Sequence, residues 1–134
     1  MPTGSDVAYF DASALFKLIV AEPESKALER AIRAWPRRVT SRLTVVELIR
    51  SVRRVDFRLD ALAGRLLTGV DLLTDSDRTL AVAAHLDPPP LRALDAIHVA
   101  SALRVRSVLS AFVSYDARQL AAAEALGLPV ASPR

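Results

Sequence analysis

The sequence predicts an α/β fold, a three-layer domain in which helices cover a parallel sheet of about five strands. Short strand-like runs alternate with helical stretches along nearly all of the 134 residues, and such alternation implies parallel strands joined by right-handed crossovers. The chain length fits a single domain over 1–134, with a core from about 7 to 133. Because only 5% of the residues are aromatic, this core must consist mainly of Ala, Val and Leu.

The elements follow one another along the chain without a linker or a repeat. The first strand, Val7–Phe10, leads through Asp11 into an apolar helix that is expected to span Ala12–Ala21. Proline residues interrupt the helical pattern further on, and glycine residues close two of the later helices. Further helices are expected at about 24–34, 44–54, 60–68, 76–86, 91–106 and 117–126, and further strands at about 37–41, 70–73, 111–114 and 129–131.

Composition and charge exclude some classes of protein. The chain has no cysteine and no apolar run long enough for a membrane span, and its first residues lack the pattern of a signal peptide, so we expect a cytoplasmic protein. The net charge is +3, and 16 of the 18 basic residues are Arg. Arginine suits phosphate recognition, but a coding bias explains the excess equally well, so the placement of the arginines is more informative.

Four acidic residues lie among apolar neighbours: Asp11, Glu47, Asp95 and Asp116. Each has a structural explanation when it is considered alone. Asp11 and Asp116 are positioned as helix N-caps, and the N-terminal end of a helix favours Asp95. Glu47 has the capping-box spacing from Thr44 and also the spacing for a pair with Arg50.

Considered together, the four acids predict a metal site. Asp11 and Asp116 follow the first and fourth strands, and in a sheet where these strands are neighbours their carboxyl ends flank the topological switch point. Carboxylates that share one pocket repel each other unless a cation compensates their charge. Oxygen ligands favour Mg²⁺ or Mn²⁺, whereas the absence of cysteine and the presence of only two histidines disfavour zinc.

Four segments resemble the motifs of the PIN domain, in the order of that family: FDASALFKL, TVVELIR, LRALDAIHVASAL and FVSYDARQLAAAEALGLPV. The resemblance covers about Val7 to Pro133, and within the family the single-domain form of about this length resembles the VapC toxins. It implies a sheet ordered 3-2-1-4-5 and an Mg²⁺- or Mn²⁺-dependent endoribonuclease that inhibits translation. It also implies an RNA substrate, a cognate antitoxin and a homodimer.

The resemblance assigns roles to individual residues. Asp11, Glu47, Asp95 and Asp116 would form the catalytic quartet, with Asp11, Asp95 and Asp116 as metal ligands and Glu47 acting through water. Ser13 matches a hydroxyl position that orders the site. Ser114 stands where the family more often has Thr, which preserves the hydroxyl.

Arg50, Arg53, Arg54 and Arg58 recur on one side of the helix that carries Glu47 and just beyond it. They are either a solvated helix face or a surface that contacts the RNA backbone. His98 lies one helical step from Asp95 and is expected to pack in the core or behind the acids rather than to act as a ligand.

Three other interpretations stay open at the level of sequence. One is a PIN-fold nuclease that processes RNA outside a toxin–antitoxin system. Another is an inactive nucleic-acid-binding regulator on the same fold. The third is phosphoryl transfer through an aspartyl-phosphate at Asp11, which usually needs an acid where this chain has Ser13 and a well-placed lysine, for which only Lys17 and Lys26 are available.

Overall fold

The computed structural model describes residues 6–134, which contain a five-stranded sheet and seven α-helices. The strands are β1 Val7–Phe10, β2 Arg37–Ser41, β3 Asp71–Leu73, β4 Leu109–Val113 and β5 Val130–Ala131. The helices are α1 Ala12–Lys17, α2 Ser25–Ala31, α3 Leu43–Val55, α4 Asp60–Leu67, α5 Asp77–Ala84, α6 Ala93–Leu103 and α7 Ala117–Ala125. Within these residues, no helix combines the length and the apolar character that crossing a membrane requires.

The sheet order is β3-β2-β1-β4-β5 and every pairing is parallel, which confirms the predicted order. The central strand is β1, in which Tyr9 lies opposite Val39 of β2 and Phe112 of β4. The backbone N–H of Asp11 continues the ladder to the carbonyl of Val113 at 3.2 Å. The switch point between β1 and β4 therefore lies at Asp11.

The two faces of the sheet pack against separate apolar clusters, as a three-layer architecture requires. Alternate residues of a strand point to opposite faces. Ala8 and Phe10 belong to one cluster together with Leu48 of α3, whereas Val7 and Tyr9 belong to the other. Because helices cover both faces, β1 is buried along its whole length.

Most elements lie within two residues of their predicted bounds, but two helices are shorter than predicted. The first ends at Lys17 instead of Ala21, since the chain tightens there and the N–H of Leu18 bonds the carbonyl of Leu15 at 3.1 Å. The predicted helix over 91–106 is α6, which starts only at Ala93 because Arg92 is extended, and it ends at Leu103 in a series of turns. The helix predicted over 24–34 has a 3₁₀ turn, Ile32–Ala34, as its last part.

Candidate active site

Asp11 is enclosed at the carboxyl end of β1, with only 1% of its surface exposed. Its Oδ1 accepts hydrogen bonds from the Ser13 hydroxyl at 2.7 Å and from the Ala14 N–H at 2.9 Å, so Asp11 is also the N-cap of α1. Its Oδ2 accepts from the Ser114 hydroxyl at 2.6 Å. Burial raises the pKa of Asp11, and the charge of His98 and these hydrogen bonds offset that rise only in part.

The two serine hydroxyls connect the strand ends on either side of the switch point. Ser13 Oγ accepts from the N–H of Tyr115 at 3.0 Å, and Ser114 Oγ accepts from the N–H of Asp116 at 3.0 Å. Each hydroxyl therefore receives a backbone hydrogen bond and donates its own proton to Asp11. This arrangement fixes the Asp11 carboxylate relative to the loop that carries Asp116.

Glu47 is held by a buried histidine. The N-cap of α3 is Arg42 rather than Thr44, so the capping box considered for Glu47 does not form. Instead, Glu47 Oε1 lies 2.7 Å from His98 Nε2. A carboxylate can only accept, so Nε2 carries the proton.

On its other side, His98 contacts the phenol of the central strand. Its Nδ1 lies 2.7 Å from the Tyr9 hydroxyl. The same hydroxyl accepts a hydrogen bond from the N–H of Ser41 at 3.2 Å. Burial alone would lower the pKa of His98, but the hydrogen bond to Glu47 and the charge of Asp11 outweigh it, so that this pKa is raised. The chain Ser41–Tyr9–His98–Glu47 thus anchors an acid of α3 to the middle of the sheet.

Asp95 and Asp116 lie at the N-terminal ends of α6 and α7. Asp95 is 9% exposed, and its Oδ1 accepts from the side-chain amide of Gln119 at 2.9 Å. Asp116 Oδ1 accepts from the backbone N–H groups of Arg118 and Gln119 at 2.9 and 3.2 Å and thereby caps α7. Gln119 was not predicted as a site residue from the sequence, although a single glutamine on the apolar side of a predicted helix is a detectable signal.

The four acids share interaction partners but do not form a closed cage. The charges of Asp11, Glu47 and Asp95 all act on His98, and Asp116 is joined to Asp11 through Ser114. Among residues 6–134, no group of three or more Asp, Glu, His or Cys side chains is arranged to hold a metal ion. The donor set still fits Mg²⁺ chemically, because this ion commonly takes one or two carboxylates and completes its octahedron with water and phosphate oxygens.

The four arginines near Glu47 divide into two pairs. Arg50 and Arg54 line a groove of about 370 Å³ together with Glu47. Arg53 instead pairs with Asp60 at 2.8 Å, and Arg58 pairs with Asp56 at 2.8 Å.

A second groove continues the first towards Asp11. It has a volume of about 510 Å³ and includes Arg54 and Ser51, which also line the first groove. Its further lining includes Ser13 and Tyr115, which neighbour Asp11 and Asp116 in the chain. A basic path therefore leads from Glu47 to the carboxyl ends of β1 and β4.

The surroundings of Asp11 disfavour an aspartyl-phosphate. Both of its oxygens accept hydrogen bonds, and its side chain is enclosed. Lys17 is directed elsewhere, since its Nζ pairs with Glu22 at 3.1 Å and with Glu24 at 2.9 Å. Lys17 is therefore not available to assist a nucleophile at Asp11.

Comparison with known proteins identifies the class. The PIN domain family model matches residues 8–125, so the chain belongs to the PIN domain family. Within that family it is 41% identical over 125 residues to ribonuclease VapC46 of Mycobacterium tuberculosis, covering 93% of this chain and 96% of that protein. The resemblance noted in the sequence is thereby confirmed.

Two solved structures have the same fold. A toxin–antitoxin complex from Klebsiella pneumoniae matches with a TM-score of 0.73 at 22% identity, covering 95% of this chain and 98% of that one. The M. tuberculosis VapC20 structure, described as a sarcin–ricin loop cleaving toxin, matches with a TM-score of 0.70 at 18% identity, covering 86% and 94%. At these identities the likeness concerns the fold.

Proposed function

We propose that this protein is a metal-dependent endoribonuclease that acts as the toxin of a toxin–antitoxin pair and inhibits translation by cleaving RNA. The relationship to VapC ribonucleases supports the class. One observation carries the proposal: a buried Asp11, held by two hydroxyls, lies at the β1/β4 switch point, and one of these hydroxyls, Ser114, also accepts from the N–H of Asp116. Such switch points are where open parallel sheets bind their ligands.

Asp11, Asp95 and Asp116 are the residues that would hold the Mg²⁺ or Mn²⁺ ion. When bound, such an ion activates water and stabilises the negative charge that develops on a phosphodiester. Asp95 and Asp116 each use Oδ1 in the hydrogen bonds described and leave Oδ2 for a ligand. A nearby cation would also favour the ionised form of Asp11, whose pKa is raised by burial.

Glu47 is the residue that orients the attacking water. One of its oxygens is fixed by His98, and the other is left to accept a hydrogen bond from a water molecule and draw its proton away. In this scheme no side chain attacks the phosphorus. The roles of Ser13 and Ser114 are to keep the Asp11 carboxylate in place.

The groove beside Glu47 is proposed as the path of the RNA backbone. Arg50 and Arg54 line it and have no carboxylate within ion-pair distance among the described residues. Arg53 and Arg58 are in exposed ion pairs. Such pairs contribute little to stability, so both guanidinium groups can exchange their partner for a phosphate.

The antitoxin and the second subunit are proposed to cover apolar side chains that this chain leaves exposed. Val55 and Phe57 are 58% and 67% exposed at the end of α3 and just beyond it, and exposed apolar side chains that lie together often mark protein interfaces. The protein would act in the cytoplasm. Light scattering on the purified protein, alone and with its neighbouring gene product, measures both assemblies.

Cleavage of RNA tests the enzymatic proposal. We expect cleavage with Mg²⁺ or Mn²⁺, none with EDTA, and a loss of about 10³-fold in Asp95→Asn. Asp71→Asn is the matched control, because Asp71 is an exposed acid on the edge strand β3, and it should cleave like the parent. If a folded Asp95→Asn protein cleaves as fast as the parent, the assignment of the site is wrong.

Expression in bacteria separates a toxin from an RNA-processing nuclease. We expect growth arrest on expression of the parent, relief on co-expression of a small neighbouring protein, and no arrest with Asp95→Asn. Mapping of cut ends in total RNA would then identify the target. Growth that is unaffected by an active nuclease would favour a processing enzyme.

A further inference from the structure

Gln119 donates hydrogen bonds to two of the four acids. Its side-chain Nε2 donates to Asp95 Oδ1 at 2.9 Å, and its backbone N–H donates to Asp116 Oδ1 at 3.2 Å. The residue is 5% exposed. It therefore connects the acid at the start of α6 with the acid at the start of α7, out of contact with bulk solvent.

The orientation of the Gln119 amide follows from its partner. A carboxylate can only accept hydrogen bonds, so the NH₂ group must face Asp95 and the carbonyl oxygen must face away. That oxygen, Oε1, is buried without a hydrogen-bond partner. In the part of the chain that the structure describes, Ser132 Oγ is the only other buried side-chain polar atom without a hydrogen-bond partner.

An unpartnered buried acceptor lowers stability, so this amide is a poor choice for packing alone. An apolar side chain of similar length would fill the same space between α6 and α7 without an unpartnered oxygen of its own, but it would leave Asp95 Oδ1 without its donor. What the amide adds is one neutral donor to Asp95. Unlike an Arg or Lys partner, a neutral donor fixes the carboxylate without compensating its charge, and it leaves Oδ2 available.

We propose that Gln119 is a positioning residue that holds Asp95 in the orientation in which its second oxygen receives the divalent cation. This inference rests on the proposed metal-dependent function. It predicts that removal of the amide weakens cation binding, because Asp95 Oδ1 then loses the donor that holds it. A residue that merely joins α6 to α7 would lower the stability of the fold and leave cation binding unchanged.

The test is titration of RNA-free protein with Mn²⁺, combined with urea unfolding. Gln119→Met keeps the length of the side chain and removes both the donor and the unpartnered oxygen, and the backbone N–H that caps α7 is retained. We expect Mn²⁺ to bind about tenfold more weakly to a Gln119→Met protein that urea unfolding shows to be folded under the conditions of the titration. Gln119→Leu serves as the second variant if the methionine protein fails to fold.

A double variant, Gln119→Met combined with Asp95→Asn, shows whether Gln119 acts through Asp95. In the Asp95→Asn protein, Gln119→Met should change Mn²⁺ affinity no further, whereas an independent loss in the double variant overturns the inference. Unchanged Mn²⁺ binding in a folded Gln119→Met protein also overturns it and leaves the proposed function intact. A parent protein that binds no Mn²⁺ overturns both.

Discussion

Asp11 and Asp116 follow neighbouring parallel strands, and each caps the helix that comes next, but their environments differ. Asp11 is enclosed and uses both oxygens, which accept two hydroxyls and one backbone N–H. Asp116 is half-buried, and only Oδ1 accepts, from two backbone N–H groups. The same local pattern thus yields one carboxylate held both by its own helix and by the distant hydroxyl of Ser114, and another held only by its own helix.

The largest expected effect of this difference is on catalysis. Asp11→Asn removes the charge and leaves one acceptor oxygen for two hydroxyls, so we expect RNA cleavage to fall about 10³-fold. Asp116→Asn removes the charge but keeps an oxygen for the cap, so we expect a loss nearer to about 10²-fold. Single-turnover cleavage rates measure both, and equal losses would show that the enclosure of Asp11 has no catalytic consequence.

A smaller effect is expected from the hydroxyl that connects the two acids. Ser114→Ala removes the donor to Asp11 Oδ2 and the acceptor of the Asp116 N–H, and we expect cleavage to fall about 10- to 100-fold. Ser132→Ala is the matched control, since its buried hydroxyl has no partner, and it should cleave like the parent. A Ser114→Ala protein with parental activity would contradict a role of this hydroxyl in ordering the site.

The sequence predicts what depends on local pattern. The strand Val7–Phe10 follows from a short run of strand-forming residues, and the acids that cap α1 and α7 follow from short-range capping rules. The order of the strands depends on contacts far apart in the chain, and it came from the PIN resemblance rather than from periodicity. The bounds of α1 were mispredicted because apolar residues after Lys17 continue the helical pattern although the backbone turns there.

Contacts between distant residues explain what the sequence did not reveal. Glu47 meets His98 across 51 positions, and Gln119 meets Asp95 across 24. Local spacing suggested a capping box for Glu47, but the tertiary contact with His98 prevails. The four acids could be named from their apolar neighbours, and Ser13 and Ser114 from the PIN resemblance, but the contacts of His98 with Glu47 and of Gln119 with Asp95 could not.

The pH dependence of stability gives a third contrast. Burial raises the pKa of Asp11 in the folded protein, so its contribution to stability is fully present below its unfolded pKa of about 3.9 and is lost as the pH rises through the folded pKa. The Asp11→Asn variant has no ionisable group at this position, so its stability does not change with pH for this reason. In the absence of metal, the free energy of unfolding of Asp11→Asn should therefore increase relative to that of the parent as the pH rises. The expected increase is about 1.4 kcal/mol for each pH unit between the unfolded and the folded pKa of Asp11.

Urea unfolding in EDTA buffers measures this gain. The comparison is best kept between about pH 4 and about pH 6, below the ordinary pKa of histidine, because Asp11 also affects the pKa of His98. A difference between Asp11→Asn and the parent that stays constant over this range would mean that Asp11 is not held in the unfavourable ionised form.

The smallest expected effect concerns the cap at Asp116. Asp116→Ala removes the acceptor for the N–H groups of Arg118 and Gln119 and should lower the free energy of unfolding by about 1 kcal/mol, whereas Asp116→Asn should lower it by a few tenths at most. Thermal or urea unfolding of the two variants measures the difference. Equal stabilities would mean that α7 is held by its packing alone, and that Asp116, unlike Asp11, is not fixed by the hydrogen bonds it accepts.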